Sequence, residues 1–513
     1  MPRDILREII DRRKFDMALT GMEFGFNVPS VRERKIHPFL KEKGAVLEVK
    51  RASPSKGDIA PDLDSYSTAK SYAYSGAVAI SCLTETYFFK GTLGDLMNVC
   101  RAVDDFECET GKVPPAVLRK DFLLNTDEIE VSFRAGADAV LLIARILTKE
   151  ELLDMAKKCE QLGISALIEV RKEEDLEKLK LVLETVEHRY ITAGVNSRDL
   201  QDFTIDTLTP GSMLEKIKSF ADDIKIVFES GILSPESAAF PSSMGFNAIL
   251  LGEAAAKNPC NAYEFTSSFE KSSLCASGKS WSKYGALVNS RKVNGKLKKP
   301  FVKICGITNV EDAVFACEQG ADFLGFVMWQ NSRRNVSEET VRSVYHAVKN
   351  FGVMLVGVIA DPEGKEAEAA FRLAREGVLD KIQFHGCSFP FCNNKNFADI
   401  PRYAAVNVSC ESDLDKVKEL VFKGEPRVLI DSKSDDEIGG TGKRINEELV
   451  EKAGAFCKLW LAGGIDSSNV KDIIEKFHPE LIDLSSSVEK EKGIKDKQKL
   501  KDFFEALNKA CEA

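Results

Sequence analysis

The 513-residue chain lacks the patterns that mark several large classes of protein. It has five histidines, and none of its 13 cysteines forms a Cys-x-x-Cys pair, so no zinc spacing is present. The nearest pair, Cys387 and Cys392, has no second pair or nearby histidine to complete a metal site. An odd number of cysteines spread thinly over a large chain reads as reduced, mostly buried thiols rather than a disulfide framework. No stretch reaches the ~18 uninterrupted apolar residues of a spanning helix. The first sixteen residues, MPRDILREIIDRRKFD, are too charged for a secretory signal. A net charge of −9 and a pI near 5.5 weigh against nucleic-acid binding, which calls for a basic patch. Together these absences lead us to expect a cytoplasmic protein with no metal and with neither membrane nor nucleic acid as a partner.

What is present is ordinary globular composition, 44% hydrophobic and 29% charged. Short β-branched runs alternate with longer amphipathic segments. Strands are expected at Ala45–Val49, Ala77–Leu83, Ala116–Leu118, Ala139–Ile143, Ser165–Glu169, Ile191–Val195, Lys225–Phe228 and Ala248–Leu251. Between them lie helical patterns such as Lys149–Leu162 and Lys172–Leu183, with apolar residues recurring at three and four. Eight buried strands separated by helices indicate a parallel sheet, and eight is the number that closes a (β/α)8 TIM barrel. The pattern then repeats at Phe301–Ile304, Phe323–Val327, Met354–Val358, Lys381–Phe384, Ala404–Val408, Arg427–Ile430, Leu459–Ala462 and Leu481–Leu484. The fold class is therefore α/β, with two consecutive TIM barrels in one chain. The division we expect is 1–270 for the first barrel with an N-terminal helix, 271–298 for a linker, and 299–513 for the second barrel. The linker assignment rests on a stretch rich in Ser, Gly, Lys and Asn and poor in apolar periodicity.

Functional side chains of such barrels sit at the C-terminal ends of strands and in the loops that follow. In the first half these positions hold Glu48, Lys50, Lys120, Glu169, Asn196 and Glu229. Six such residues on five strand ends point to an active site rather than to scattered ion pairs. Ser230-Gly231 after the seventh strand and Gly252-Glu253 after the eighth stand where backbone N–H groups can face an anion, which implies a phosphorylated small molecule. In the second half Cys305 ends the first strand beside Lys303 and before a helix start, surroundings expected to lower a thiol pKa. Further marks are Ser332-Arg333-Arg334, Gln383-Phe-His385-Gly386, Leu429-Ile430-Asp431-Ser432, Ile438-Gly-Gly-Thr-Gly-Lys443, Leu461-Ala-Gly463-Gly464-Ile465 and Asp483-Leu-Ser485-Ser486-Ser487-Val-Glu489.

Glu48-Val-Lys50-Arg-Ala-Ser53-Pro-Ser-Lys-Gly, Lys120-Asp-Phe122, Ile168-Glu169-Val, Val195-Asn196-Ser-Arg198-Asp-Leu and Glu229-Ser-Gly-Ile together resemble indole-3-glycerol phosphate synthase over roughly 1–258. The resemblance implies closure of an indole ring from a carboxyphenylamino-deoxyribulose phosphate, with loss of carbon dioxide and water and no cofactor. It implies Lys120 as general acid, Lys50 as holder of the substrate carboxylate, Glu169 as general base, and Glu48 and Glu229 as groups that orient substrate and lysines. The choice of lysine at each proton transfer stays open. Asn196, Ser53 and Arg198 would contact substrate. Phe89 and Phe122 either flank its ring or pack in the core. Glu253 departs from the serine common in that family, and a backbone phosphate contact there requires its carboxylate to point away.

Lys303-Ile-Cys305-Gly-Ile-Thr308 and the later marks of the second half resemble phosphoribosylanthranilate isomerase over about 299–513. That resemblance implies an Amadori rearrangement with Asp431 as general acid and Cys305 as general base. Arg334 would grip the anthranilate carboxylate, and Gly463, Gly464, Ser485 and Ser486 would bind phosphate. His385 serves either as a structural histidine at a turn or as a substrate contact. The product of the second reaction is the substrate of the first, so the expectation is one monomeric polypeptide carrying two consecutive steps of tryptophan biosynthesis. Two competing readings are one working half beside a structural or phosphate-binding half, and an unrelated phosphosugar isomerase or aldolase.

Overall fold

The computed structural model describes residues 5–198, 204–293, 295–391, 394–432 and 446–512. Asp199, Leu200, Cys392 and the run Ile438–Lys443 lie outside the described residues. The chain divides into two compact units, Met1–Leu274 and Cys275–Ala513.

Each unit is built on a closed barrel of eight parallel strands. In the first the strands are β1 (Gly44–Val49), β2 (Ala79–Leu83), β3 (Ala116–Lys120), β4 (Ala139–Ile143), β5 (Ser165–Val170), β6 (Ile191–Asn196), β7 (Lys225–Glu229) and β8 (Ala248–Leu251). Each pairs with its neighbours in sequence, and β1 closes the ring on β8 with Leu47 opposite Leu251. The inward side chains are mostly aliphatic, among them Val46, Leu118, Leu141, Leu167, Val227 and Leu250. Burial of each large one contributes about 1.5–3 kcal/mol. Strands buried on both faces read in sequence as unbroken apolar runs, and this is why they could be placed so closely.

The helices start and stop where local chemistry directs. Thr148 caps Lys149–Leu162 in a reciprocal capping box with Glu151, and Gly163 ends that helix at φ 75°. Asn125 accepts from the N–H groups of Asp127 and Glu128 to begin Thr126–Arg134. The second strand was expected from Ala77 but begins at Ala79, because the N–H of Ala77 returns to Tyr72 O at 3.2 Å and still closes the preceding helix.

The second barrel comprises β9 (Phe301–Cys305), β10 (Phe323–Val327), β11 (Met354–Ile359), β12 (Lys381–His385), β13 (Arg402–Val408), β14 (Val428–Ser432), β15 (Trp460–Ala462) and β16 (Leu481–Leu484). The segment 271–298 is a correction to the sequence reading: instead of a plain linker it contains a 15-residue helix, Ala276–Ser290, and a short hairpin, Lys292–Val293 with Lys296–Leu297. Trp281 and Tyr284 of that helix are each 1% exposed. Their rings pack against Trp460, Phe301 and Phe323 at the starts of β15, β9 and β10, and Tyr284 Oη donates to Glu480 at 3.0 Å. The sequence does not show this helix because Ser277, Gly278, Ser282 and Gly285, four of its seven buried residues, carry no hydrophobic signal. Among the described residues no helix is long and apolar enough to cross a membrane, and no group of three or more His, Cys, Asp or Glu could hold a metal ion.

Candidate active sites

The strand ends of the first barrel deliver charge of both signs to one opening. Glu48, Lys50, Lys120, Glu169 and Asn196 line a cavity of about 130 Å³, together with Ser53, Phe89, Phe122, Arg198, Ser230, Gly252 and Glu253. Lys120 Nζ donates to Glu229 Oε2 at 2.8 Å and lies 3.6 Å from Glu48 Oε2, while Lys50 Nζ is 3.1 Å from Glu48 Oε1. Asn196 Nδ2 donates to Glu169 Oε2 at 3.3 Å. Glu229, 1% exposed, sits behind the cavity wall and reaches it through Lys120. Gly231, two residues further on, does not line the cavity either.

These contacts divide the ionisation states. Burial pushes the Glu169 carboxyl up, the negative charge of Glu229 pushes it further, and Lys120 and Asn196 only partly oppose them, leaving it at about 7. Burial pulls Lys120 down, but the carboxylates of Glu229, Glu48 and Glu169 outweigh it and hold the ammonium above its ordinary range. Glu48 is also penalised by burial, yet Lys50 and Lys120 keep it below the usual carboxylate range. The site therefore holds a fixed cation beside a carboxylate poised near neutrality.

Space for this cluster comes from two glycines. A Cβ at Gly194 would stand 2.2 Å from Glu229 Oε1, and one at Gly252 would stand 2.4 Å from Glu48 Oε1. Phe89 and Phe122 line the cavity and pack on each other, with ring centroids 6.0 Å apart. Lys50 Nζ lies 5.6 Å from the centroid of Phe89. After β7, Ser230 and Gly231 both take positive φ, 69° and 79°. For the serine that conformation costs about 1–2 kcal/mol, the kind of strain retained where a loop must turn sharply at a site. The Glu253 carboxylate accepts from Lys257 Nζ at 2.7 Å, one turn along the same helix.

The second barrel gathers Cys305, Arg334, His385, Asp431, Gly463, Gly464, Ser485 and Ser486 around a cavity of about 80 Å³. Here a hydrogen-bonded relay replaces the ion cluster. Lys303 Nζ pairs with Asp483 Oδ2 at 2.5 Å and donates to Gln383 Oε1 at 2.8 Å, and Tyr403 Oη donates to the same oxygen at 2.8 Å. With Oε1 so occupied, Gln383 Nε2 donates to His385 Nδ1 at 3.3 Å. The remaining ring proton is thereby placed on Nε2, which donates to Asn407 Oδ1 at 2.9 Å and lies 3.9 Å from Asp431 Oδ2. Burial lowers His385 to about 4, so the ring is neutral. Gly463 and Gly464, like Ser230 and Gly231 after the seventh strand of the first barrel, both take positive φ, 100° and 60°.

One expectation needs correction, and one residue has a partner that the sequence did not show. The Cys305 thiol is raised rather than lowered: burial dominates, and the charge of Lys303 is already matched by Asp483, although Lys303, Lys495 and Arg334 do favour the thiolate. Arg334 faces the cavity, but its Nε and Nη2 already donate to the two oxygens of Glu489 at 2.8 Å each, so that edge of the guanidinium fork is taken.

Residues 24–265 match the family model of indole-3-glycerol phosphate synthase, and 302–506 match that of N-(5'-phosphoribosyl)anthranilate isomerase. An indole-3-glycerol phosphate synthase of Desulforamulus reducens is 38% identical over 209 residues, covering 41% of this chain and 72% of that protein. The chain belongs to these two families, one barrel to each. A multifunctional tryptophan biosynthesis protein of Schizosaccharomyces pombe is 31% identical over 98% of this chain and 66% of that protein. This chain thus spans just under two thirds of that relative's length, and 63% of that of the protein of the same name from Phycomyces blakesleeanus. The phosphoribosyl anthranilate isomerase of Thermotoga maritima, a solved structure, is 34% identical, with 41% of this chain and 99% of that chain covered at a TM-score of 0.37.

In the synthase-family barrel, sequence reasoning missed the support beneath Lys120. Arg13 of the N-terminal helix Ile5–Thr20 donates to Asp121 Oδ1 at 2.6 Å and pairs with Glu128, while Thr84 Oγ1 and Arg119 Nη2 hold Asp121 Oδ2 at 2.5 and 3.1 Å. Asp121 stood in the quoted Lys-Asp-Phe run, but a partner 108 residues away leaves no local trace. Glu85 was missed too; it accepts from the N–H groups of Tyr87, Phe88 and Phe89 and so fixes the aromatic wall. In the isomerase-family barrel the missed residues are Tyr403, Asn407 and Lys495, and Glu489 was quoted in a motif without an assigned part. Gln383 and Asp483 were inside quoted motifs without an assigned part.

Proposed function

We propose that the chain catalyses two consecutive steps of tryptophan biosynthesis, the isomerase-family barrel making the substrate of the synthase-family barrel. Family membership supports the reaction types. The observation that carries the reading is common to both barrels: an acid and a base face one cavity, next to a positive-φ loop after the seventh strand.

In the isomerase-family barrel, Asp431 protonates the ring oxygen of N-(5'-phosphoribosyl)anthranilate and the sugar opens to an iminium. Cys305, as thiolate, then removes the C2 proton, and the enolamine collapses to the aminoketose. Gly463, Gly464, Ser485 and Ser486 hold the phosphate at the rim. Neutral His385 presents an N–H towards Asp431 and Asn407 and so orients the acid.

In the synthase-family barrel, Phe89 and Phe122 flank the anthranilate ring and Lys50 holds its carboxylate. The Lys120 ammonium stabilises negative charge on the ketone oxygen as the new carbon–carbon bond forms. Carbon dioxide leaves, the oxygen takes up two protons from the lysine ammonium groups and departs as water, and Glu169, half-ionised near pH 7, takes the proton of the new five-membered ring as aromaticity is completed. Ser230 and the backbone at Gly252 receive the phosphate, with the Glu253 carboxylate held aside by Lys257.

The test is a progress curve begun with phosphoribosylanthranilate and no added metal or cofactor. Loss of its fluorescence followed by indole absorbance is the expected result. Accumulation of the aminoketose would locate failure in the first barrel, and unchanged starting material would locate it in the second.

A further inference from the structure

After β16 the isomerase-family barrel carries a small hairpin, Glu489–Glu491 paired with Ile494–Lys495, which the chemistry above does not use. Building on the isomerase reading, we propose that Lys495 and Glu489 are positioning residues that hold the base Cys305 and the carboxylate-binding Arg334 in place at the cavity.

The Lys495 side chain is fully buried, and its Nζ donates to Cys305 O at 2.6 Å and Ser485 O at 3.3 Å and pairs with Glu489 Oε1 at 3.1 Å. Three acceptors are the full complement of an ammonium, and two of them are main-chain oxygens of residues lining the cavity. Glu489 receives Lys495 and the Nε–Nη2 edge of Arg334, and Oε1 also accepts from Gly493 N at 3.3 Å. The hairpin is pinned again where Lys495 N donates to Asp312 Oδ2 at 2.8 Å and Thr308 Oγ1 donates to Gly493 O. One triad therefore ties together the segments that follow β9, β10 and β16.

A buried ion pair is seldom the most stable way to fill such a place, since an apolar side chain of similar volume usually serves as well or better. An ammonium aimed at the Cys305 carbonyl makes sense as a device that fixes where that residue sits. It also bears on the thiol. The charged groups facing Cys305 are Lys303 on its own strand, Asp483 on β16, Arg334 after β10 and Lys495 on the hairpin. The three cations favour the thiolate and Asp483 opposes it.

The experiment follows alkylation of Cys305 by iodoacetamide against pH in the full chain, read by peptide mass spectrometry, alongside kcat and KM for phosphoribosylanthranilate. Lys495→Met is expected to move the alkylation midpoint up by about one pH unit, equivalent to about tenfold slower reaction below the midpoint, and to lower kcat at least about tenfold. Lys495→Arg should restore most of both. Glu489→Gln should raise KM about tenfold with a smaller change in kcat, as Arg334 loosens. A Lys495→Met chain whose midpoint and kcat stay within about twofold of wild type overturns the proposal. Should that variant not fold, an unchanged KM in Glu489→Gln overturns it instead. A wild-type chain that alkylates normally yet leaves phosphoribosylanthranilate untouched refutes the isomerase reading, while the alkylation midpoints still judge whether Lys495 positions Cys305.

Discussion

The two barrels have the same architecture but hold the polar groups at their cavities in opposite ways. In the first, Glu48, Lys50, Lys120, Glu169 and Glu229 form one cluster of ionisable groups, and burial together with charged neighbours sets the ionisation of Glu48, Lys120 and Glu169. In the second, the charge of Lys303 is matched by Asp483, and a chain of neutral groups, Gln383, His385 and Asn407, carries its influence towards Asp431. A site built on charges should respond to pH and to single charge changes. The hydrogen-bond relay that leads to Asp431 should respond to geometry, and in that barrel only the surroundings of Cys305, faced by Lys303, Arg334 and Lys495, should respond to charge.

The sharpest way to break this comparison is to remove one proton-transferring group from each barrel. Lys120→Met should reduce indole formation by about 10²–10⁴-fold and leave isomerisation intact, and Cys305→Ser should do the reverse. Separate assays of the two half-reactions would show it. Next in size is a steric change. Gly194→Ala places a methyl 2.2 Å from Glu229 Oε1, which must displace the carboxylate that holds Lys120. Overpacking of this kind costs about 1–3 kcal/mol, measurable by denaturant unfolding, with a loss of synthase rate about as large as a factor of a hundred.

A smaller effect bears directly on the contrast in tuning. Synthase activity should rise with pH through about 7 as Glu169 ionises. Because the charge of Glu229 raises that group, Glu229→Gln should move the limb to lower pH, by about one unit at most. In the other barrel His385, at about 4, should contribute no limb between pH 5 and 8 in the isomerase profile. The mildest change is Glu253→Ser, which removes a carboxylate near the phosphate loop while sparing its backbone. A fall in synthase KM of about two- to fivefold is expected, on the scale of a partly exposed ion pair.

Much of this was legible in the sequence, for a physical reason. Barrel strands are buried on both faces, so they appear as apolar runs, and a charged residue closing such a run stands out. Glu48, Lys120 and Glu169 were visible in this way, and so was Cys305 before its glycine turn. What could not be read was the company these residues keep. Lys303 beside Cys305 suggested an activated thiol, because nothing local shows that Asp483, 180 residues on, matches the lysine's charge. Arg13 and Lys495 were likewise silent, since a buried cation paired with a distant carboxylate looks in sequence like any surface cation. The runs Asp199–Leu200 and Ile438–Lys443, singled out by resemblance, lie outside the described residues.

The helix Ala276–Ser290 also decides where the polypeptide can be divided. A gene fragment that starts at residue 299, where the sequence reading begins the second barrel, would leave Phe301, Phe323 and Trp460 facing water in place of Trp281 and Tyr284. One that starts at Cys275 keeps the aromatic floor, and with it the Tyr284 and Trp460 donors that satisfy the buried carboxylate of Glu480.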